Sequence, residues 1–208
     1  MTKDNNITPY TIRVFPSQQL LHESFFVELR DMINVSFRDQ GLNPLGKVGL
    51  RLDTERQLVE ELGPNGFTVI AFDQGAVVGT ASIKPWVSDK ETWQPVGEYT
   101  NFEAGQVFKS ESPFEGDFEL SIVAIKVGEQ YRKKGMGEIL VAACEREILA
   151  NWELTRAPRI MIRTIREFQG QYWLRRGFKV IGEKYCPPST WDIEKEFILW
   201  AMRREIQT

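Results

Sequence analysis

The sequence from residue 125 onward reads Ile125-Lys126-Val127-Gly128-Glu129-Gln130-Tyr131-Arg132-Lys133-Lys134-Gly135-Met136-Gly137. The run before this stretch, residues 120–125, is apolar and rich in β-branched side chains, which predicts a strand covered on both faces. After it, apolar residues recur every fourth position, which predicts a helix with one apolar face. These residues are Met136, Leu140, Cys144, Ile148 and Trp152. The stretch therefore predicts a buried strand that leads through a glycine turn into a helix.

The turn between strand and helix has the properties of a diphosphate-binding site. A helix that starts directly after a strand leaves its first backbone N–H groups unpaired, and its dipole attracts anions to them. The two glycines of the turn carry no Cβ that would keep a phosphate away from the backbone. Three consecutive basic residues add positive charge. The predicted diphosphate contacts are Arg132, Lys133, Lys134, Gly135, Met136 and Gly137.

The spacing Arg132-x-x-Gly135-x-Gly137 resembles the Gln/Arg-x-x-Gly-x-Gly/Ala signature of the GNAT N-acetyltransferase superfamily, which holds the pyrophosphate of acetyl-CoA. About forty residues further on, the segment from Trp173 to Phe178 resembles the family's helix that ends in Gly-Phe. The glycine pattern is neither a Walker A loop nor a Rossmann fingerprint. The resemblance implies acetyl-CoA as co-substrate and an amine as acceptor.

The rest of the chain predicts elements in the order that this family shows. Before the central strand we predict a strand at 10–15, helices at 17–38 and 53–62, and a hairpin at 67–83. After the central helix we predict a strand at 159–163, a helix at 167–176, and strands at 178–183 and 197–202. We therefore expect one α/β (α+β) domain over residues 1–208 with the GNAT fold. Its mixed, mostly antiparallel sheet should have six to seven strands, flanked by about four helices.

Residues 86–116 form an insertion between the hairpin and the central strand, where a short connection would suffice. A loop of this length in a compact domain is functional or disordered. Six aromatic residues argue against disorder: Trp86, Trp93, Tyr99, Phe102, Phe108 and Phe114. Two interpretations stay open. The insertion is either a flap over the acceptor site or a segment packed on the outside of the fold.

Composition excludes several classes of protein. The 208 residues carry a net charge of −3, which argues against a sequence-independent grip on nucleic acid. No run of 18 apolar residues and no N-terminal signal core is present, so we expect a soluble, cytoplasmic protein without a membrane partner. Two distant cysteines and the single His22 argue against a disulfide framework, a metal site and a histidine triad. Association into a homodimer is left open.

In the resemblance, the thioester of acetyl-CoA lies along the edge of the central strand. The backbone of Ile125, Lys126 and Val127 would provide the contacts. An ungapped alignment places Glu119 where histone-type family members carry a glutamate general base. Its apolar neighbours predict partial desolvation, which suits a base. The alternatives are an exposed glutamate without a catalytic role, or Asp117 as the base.

The general acid departs from the family pattern. Many members have a tyrosine four residues before the glycine of Gly-Phe, where it protonates the departing thiolate. In this sequence that position is Trp173, whose indole N–H has no usable acidity. Tyr172 is adjacent, but on an α-helix it points about 100° away. The assignment of an acid therefore remains open between Tyr172 and no acid, with Trp173 as a wall beside the thioester.

The resemblance and the residues together predict an enzyme that moves an acetyl group from acetyl-CoA to a primary amine of a small molecule by direct transfer. Two alternatives remain. The match at Glu119 favours a protein lysine or N-terminal acetyltransferase, whereas Trp173 favours a non-catalytic acyl-CoA-binding module.

Overall fold

In the part of the chain that the structure describes, eight strands form a single sheet in the order β1-β2-β3-β5-β6-β8-β7-β4. The structure, a computed structural model, describes residues 10–39, 45–46, 49–54, 56–87, 93–101, 116–152 and 156–207. The strands are β1 Thr11–Pro16, β2 Phe67–Asp73, β3 Ala76–Pro85, β4 Gln94–Pro95, β5 Asp117–Ile125, β6 Arg159–Ile165, β7 Lys179–Cys186 and β8 Phe197–Glu205. The α-helices are α1 Phe26–Arg38, α2 Gln57–Leu62, α3 Met136–Asn151 and α4 Gln171–Leu174.

The pairing of the strands confirms a mixed, mostly antiparallel sheet. Only β5 and β6 run parallel, and the other neighbours are antiparallel. The eighth strand, one more than the sequence predicts, is the short β4 of the insertion, which pairs Gln94 with Glu183 of β7. A two-residue strand that contains a proline shows no alternation of apolar residues, so the sequence does not predict β4.

The two faces of the sheet are covered differently. We call them the α3 face and the α1 face, after the helix that packs on each. On the α3 face, Leu140, Cys144 and Ile148 belong to one apolar cluster with strand residues such as Ala81 and Phe118. The predicted apolar face of the central helix is therefore confirmed, and it packs against the sheet.

The α1 face has two separate covers. Helices α1 and α2 cover β2, β3 and the end of β5, in a cluster that includes Leu29, Ile33 and Leu58. Trp86 and Trp93 cover β6, β7 and β8 in a second cluster. The boundary between the two covers follows the line where β5 lies beside β6.

Two predicted helices differ from the structure. The predicted helix at 17–38 is broken into a 3₁₀ turn, Ser17–His22, and α1, which starts at Phe26. The hydroxyl of Ser17 donates to the carbonyl oxygen of Gly63, so it does not cap a helix. The predicted helix at 167–176 is a π-helical turn, Arg166–Gly170, followed by one turn of α4.

The insertion is partly a structural element. Trp86 and Trp93 are each 1% exposed and pack against the sheet, which favours the packing interpretation for this part. The hydroxyl of Tyr99 contacts Arg203 of β8. Phe102, Phe108 and Phe114 lie outside the described residues. In the parts of the chain that are described, no helix combines the length and the hydropathy needed to cross a bilayer.

Candidate active site

The parallel strands β5 and β6 separate after a short paired region. They pair at three positions only, from Asp117 with Arg159 to Glu119 with Met161, and both strands are described in full. Beyond these pairs, residues 120–125 of β5 face residues 162–165 of β6 across a gap. We call this gap the β5–β6 opening. It leaves backbone groups of a buried strand accessible at an edge, which allows an extended ligand to bind there.

A β-bulge in β5 lies at the start of the opening. The register between β3 and β5 shifts between Ser82 and Ile83, so Ser121 is the extra residue. After the bulge, Ile122 and Ala124 pack under α1, while Val123 and Ile125 lie half-buried on the α3 face. The bulge therefore shifts the side-chain alternation of β5 by one residue at the start of the opening.

The backbone contacts predicted for β5 need one correction. The N–H of Lys126 donates to the carbonyl oxygen of Val78 at 2.9 Å, so it is used within the sheet. Because successive peptide groups of a strand point to opposite edges, the N–H of Ile125 points toward the opening. The carbonyl of Ile125 accepts a hydrogen bond from Ser36 of α1 at 2.7 Å. Ile125 fits the predicted contact to a thioester, whereas Lys126 does not offer its amide.

The turn before α3, residues 128–135, is followed by backbone N–H groups at the helix start that have no partner within the helix. The first intrahelical hydrogen bond runs from Ile139 N–H to Gly135 O, at 3.1 Å. The N–H groups of Met136, Gly137 and Glu138 precede that bond, and at a helix N-terminus they attract an anion. Gly135 has a φ of +79°, in the left-handed region that favours glycine. This geometry is the one expected for a diphosphate site.

The three basic residues of the turn have different surroundings. Lys133 and Lys134 are exposed, and their charges face solvent near the helix start. Arg132 is held by Asp39 at the end of α1, with 2.8 Å between Nη1 and Oδ2. Arg132 therefore has an ion-pair partner before any diphosphate binds.

The structure gives Gly137 a role that the sequence does not reveal. A Cβ at this position would lie 2.7 Å from the hydroxyl oxygen of Tyr172. The missing side chain therefore makes room for Tyr172 and not only for a phosphate. Burial raises the pKa of Tyr172, although the guanidinium of Arg176, which stacks 3.4 Å from the ring centre, works in the opposite direction.

Trp173 is a core residue. It is 7% exposed, belongs to the cluster on the α3 face and packs edge-to-face with Phe178. Tyr172 and Trp173 both lie in α4, after the π-helical turn, and their rings meet edge-to-face with 4.9 Å between the centres. Of the two, Tyr172 is the residue whose polar group lies beside the diphosphate turn.

Glu119 lies at the point where the opening begins, on the α1 face. It is 6% exposed and contacts two cations. Its Oε2 is 3.4 Å from Lys84 Nζ and 3.4 Å from Arg163 Nη2. The Arg163 guanidinium stacks over the ring of Trp86, 4.9 Å from its centre. Lys84 and Arg163 come from other strands, and no local sequence pattern reveals that they meet Glu119.

Asp117, the alternative base, is fixed in a structural contact. Arg159 and Arg156 both bind its carboxylate, the latter at 2.7 Å. Burial alone would raise the pKa of Asp117, but the hydrogen bonds from both arginines outweigh it and lower the pKa. Asp117 lies before the opening begins, so it is a poor candidate for contact with a substrate.

Two loops meet in front of the α1 face. The α1–α2 loop contacts the β7–β8 loop, residues 187–196: Lys195 N–H donates to Leu45 O at 3.2 Å. A Cβ on Gly46 would lie 2.8 Å from Cβ of Glu194, so the two chains are in close contact. The α1–α2 loop follows α1, whose Ser36 contacts Ile125 at the end of β5, and the β7–β8 loop leads into β8, the neighbour of β6. Their contact therefore spans the opening. The sequence does not predict this contact.

A cavity of about 520 Å³ lies between α1, the start of β3 and the residues that follow β5. Its lining includes Val27, Asp31, Val35 and Val77. Of the predicted site residues, it touches only Lys126 and Val127. We locate the active site by the strand edge and the helix start, because these carry groups that can bind and polarise a thioester, whereas the cavity wall is mainly apolar.

The accessible strand edge and the helix start together offer groups that can bind an extended ligand with an anionic end. The model of the acetyltransferase (GNAT) family matches residues 26–169. The chain belongs to this family, and its co-substrate is acetyl-CoA. It is therefore a transferase of the N-acetyltransferase superfamily.

Solved structures of this fold are similar over nearly the whole chain. NAA60 of Arabidopsis thaliana, solved with a bisubstrate analogue, is 13% identical, with a TM-score of 0.61 and coverage of 95% of this chain and 99% of that one. An aminoglycoside 6'-N-acetyltransferase complexed with coenzyme A is 16% identical, with a TM-score of 0.55 and coverage of 95% and 98%. At these identities the likeness shows the fold alone. No curated protein sequence is similar enough to match.

Proposed function

We propose that the protein transfers the acetyl group of acetyl-CoA to the primary amine of a small molecule. The observation that supports a small acceptor is the contact between the α1–α2 loop and the β7–β8 loop, at Leu45 and Lys195. A bridged opening favours a short, enclosed space over a long groove for an extended chain. The two structural neighbours named above are 13% and 16% identical and show the fold alone, so the acceptor class rests on the residues of this chain.

In this proposal acetyl-CoA supplies an acetyl thioester, and the transfer is direct. The amine nitrogen forms a bond to the carbonyl carbon, the carbon–sulfur bond breaks, and the amine loses a proton. Glu119 accepts this proton, directly or through a water. Lys84 and Arg163 both contact this carboxylate, and their charges favour the neutral form of a nearby amine.

The chain offers two kinds of donor for the charge that develops during transfer. The N–H of Ile125 points into the opening, where it can polarise the thioester carbonyl. A thiol leaving group has a reference pKa of about 8.5, so near neutral pH the thiolate needs little help. Tyr172 stays protonated at such a pH because burial raises its pKa, but the proposal does not depend on it as an acid.

Release of free CoA from acetyl-CoA tests the proposal. The protein is incubated with a panel of small primary amines and, separately, with peptides that carry a free N-terminus or a lysine. We expect turnover with at least one small amine and the acetylated amine by mass spectrometry. Turnover of peptides alone would identify a protein acetyltransferase. Binding of CoA without turnover of any amine or peptide would identify a binding module.

A further inference from the structure

The first turn of α3 carries a carboxylate of its own. Glu138 follows Gly135 by three positions, and its Oε2 is 3.9 Å from the place that a Cβ on Gly135 would take. The carboxylate therefore lies beside the helix start, where the first backbone N–H groups have no partner within the helix. A negative charge is favourable there, because the helix dipole is positive at this end. Glu138 thus lies in the environment that we assign to the diphosphate of acetyl-CoA.

Arg176, just after α4, holds this carboxylate. Its Nη2 forms an ion pair with Oε1 of Glu138. Its Nη1 donates to the carbonyl oxygen of Tyr172 at 3.2 Å, and the guanidinium lies over the Tyr172 ring, 3.4 Å from the ring centre. Because the contacts with Tyr172 do not involve Glu138, they keep the guanidinium near the start of α3 when the carboxylate moves away.

The pair of Arg176 and Glu138 is more exposed than a comparable pair on the same helix. The side chain of Glu138 is 59% exposed, and exposed ion pairs contribute little to stability. In the comparable pair, Arg204 stacks over the ring of Phe178 and binds Glu145, whose side chain is 21% exposed. Glu138 can therefore leave its arginine at low cost, whereas Glu145 is held in place.

A diphosphate at the same helix start changes the balance of charge. Its negative charges are repelled by the carboxylate of Glu138 and attracted by the guanidinium of Arg176. Phosphate oxygens accept charge-assisted hydrogen bonds from arginine in the same way as carboxylate oxygens do. The bond that Arg176 makes to Glu138 is therefore one that a phosphate can replace.

We propose that the carboxylate of Glu138 holds the anion site at the start of α3 until acetyl-CoA binds, and that Arg176 then exchanges this carboxylate for the diphosphate. Arg176 is a cofactor-binding residue outside the glycine turn. Glu138 stabilises the free protein and lowers its affinity for the cofactor. The inference rests on the placement of the diphosphate at this helix start and is independent of the identity of the acceptor.

Calorimetric titration with CoA tests the exchange in the natural protein, in Glu138→Gln, in Arg176→Met and in the double variant. We expect Glu138→Gln to bind CoA about 3- to 10-fold more tightly, because the repulsion between carboxylate and diphosphate is removed. Without CoA, the same variant should unfold at a lower urea concentration, because the helix start loses its anion. Arg176→Met should weaken CoA binding about 3- to 10-fold, both alone and in the Glu138→Gln background.

Glu145→Gln is the control, because Glu145 also binds an arginine from α3 but lies two turns beyond the helix start. It should lose stability and keep its affinity for CoA within about twofold. Displacement of CoA by pantetheine, which lacks the diphosphate, gives a second control, since no variant should change the affinity for pantetheine.

Equal CoA affinities of Glu138→Gln and the natural protein would overturn the proposal and leave the proposed acetyl transfer intact. An effect of Arg176→Met that disappears in the Glu138→Gln background would also overturn it, because Arg176 would then serve only to neutralise Glu138. Equal shifts for CoA and pantetheine would contradict a role at the diphosphate. Should Arg176→Met fail to fold, the affinity and the stability of Glu138→Gln still decide.

Discussion

The contact between Gly137 and Tyr172 gives the first prediction at the scale of residues. Gly137→Ala places a Cβ 2.7 Å from the Tyr172 hydroxyl, so one of the two must move. We expect a loss of stability of about 1–3 kcal/mol, as for other overpacked sites, and a raised KM for acetyl-CoA. Tyr172→Phe alone should change both quantities little.

The double variant Gly137→Ala with Tyr172→Phe is the decisive comparison. Without the hydroxyl, the nearest ring carbon lies 3.9 Å from the added Cβ, which is an ordinary contact. Stability and the KM for acetyl-CoA should therefore recover. Urea unfolding and steady-state kinetics measure the two quantities. Additive losses in the double variant would show that Gly137 serves a phosphate and not Tyr172. Loss of turnover in Tyr172→Phe would instead identify Tyr172 as the acid.

Glu119 and Asp117 form a matched pair for the second prediction. Both are buried carboxylates on β5, and each lies between two cations. Glu119→Gln should lower kcat by roughly 10²–10⁴-fold. Asp117→Asn should lower stability but keep kcat within about twofold. Similar kcat values for both variants would refute the role of Glu119 as base.

The ion pairs of Asp117 also predict a dependence of stability on pH. Its folded-state pKa is below the unfolded value of about 3.9, so its contribution is full above that value. The contribution is lost as the pH falls through the lower, folded-state pKa. Asp117→Asn should therefore show a smaller decrease in the free energy of unfolding below about pH 4, measured by urea unfolding at several pH values. An unchanged decrease would contradict this assignment.

The sequence predicts the role of a single residue well when that role depends only on its neighbours in the chain. Gly135 follows from the turn itself, because it starts a helix with a positive φ. The partners of Glu119 cannot be predicted from the local sequence, because Lys84 and Arg163 are remote in the chain and meet Glu119 only through strand pairing. Lys126 illustrates the same limit, since its N–H is used by Val78 of a neighbouring strand.

The turn before α3 gives the prediction at the scale of elements. Gly135→Val forces a β-branched residue to adopt a φ of +79°, at a cost of roughly 1–2 kcal/mol, or else displaces the start of the helix. We expect the affinity for CoA to fall at least tenfold by calorimetry. Cys144→Ala, a buried change further along the same helix, should keep it. Unchanged affinity in Gly135→Val would refute the diphosphate assignment.

Elements with a regular period are predictable from the sequence, and irregular ones are not. The central strand and α3 follow from their apolar patterns, with ends close to those predicted. The π-helical turn before α4 has no such pattern. Gly170 in that turn brings the backbone close to the ring of Trp200, a tertiary contact that the local sequence does not show.

At the scale of the whole molecule, the order of elements predicts the sheet, whereas the contacts between distant loops set the shape of the site. The strand, helix, helix, hairpin order in the sequence matches the front half of the GNAT fold. The two loops that bridge the opening, through Leu45 and Lys195, are separated by about 150 residues. The shape of the acceptor site depends on this contact, and neither the composition nor the periodicity of the sequence predicts it.

Amide hydrogen exchange with and without acetyl-CoA is the measurement that tests the location of the active site most directly. Binding in the β5–β6 opening should slow exchange at the amides of Ile125, Gly137 and Glu138. The amide of Lys126, already bonded to Val78, should change little. Protection confined to the cavity beside α1, at Val27 and Asp31, with no change at Gly137 and Glu138, would contradict the account.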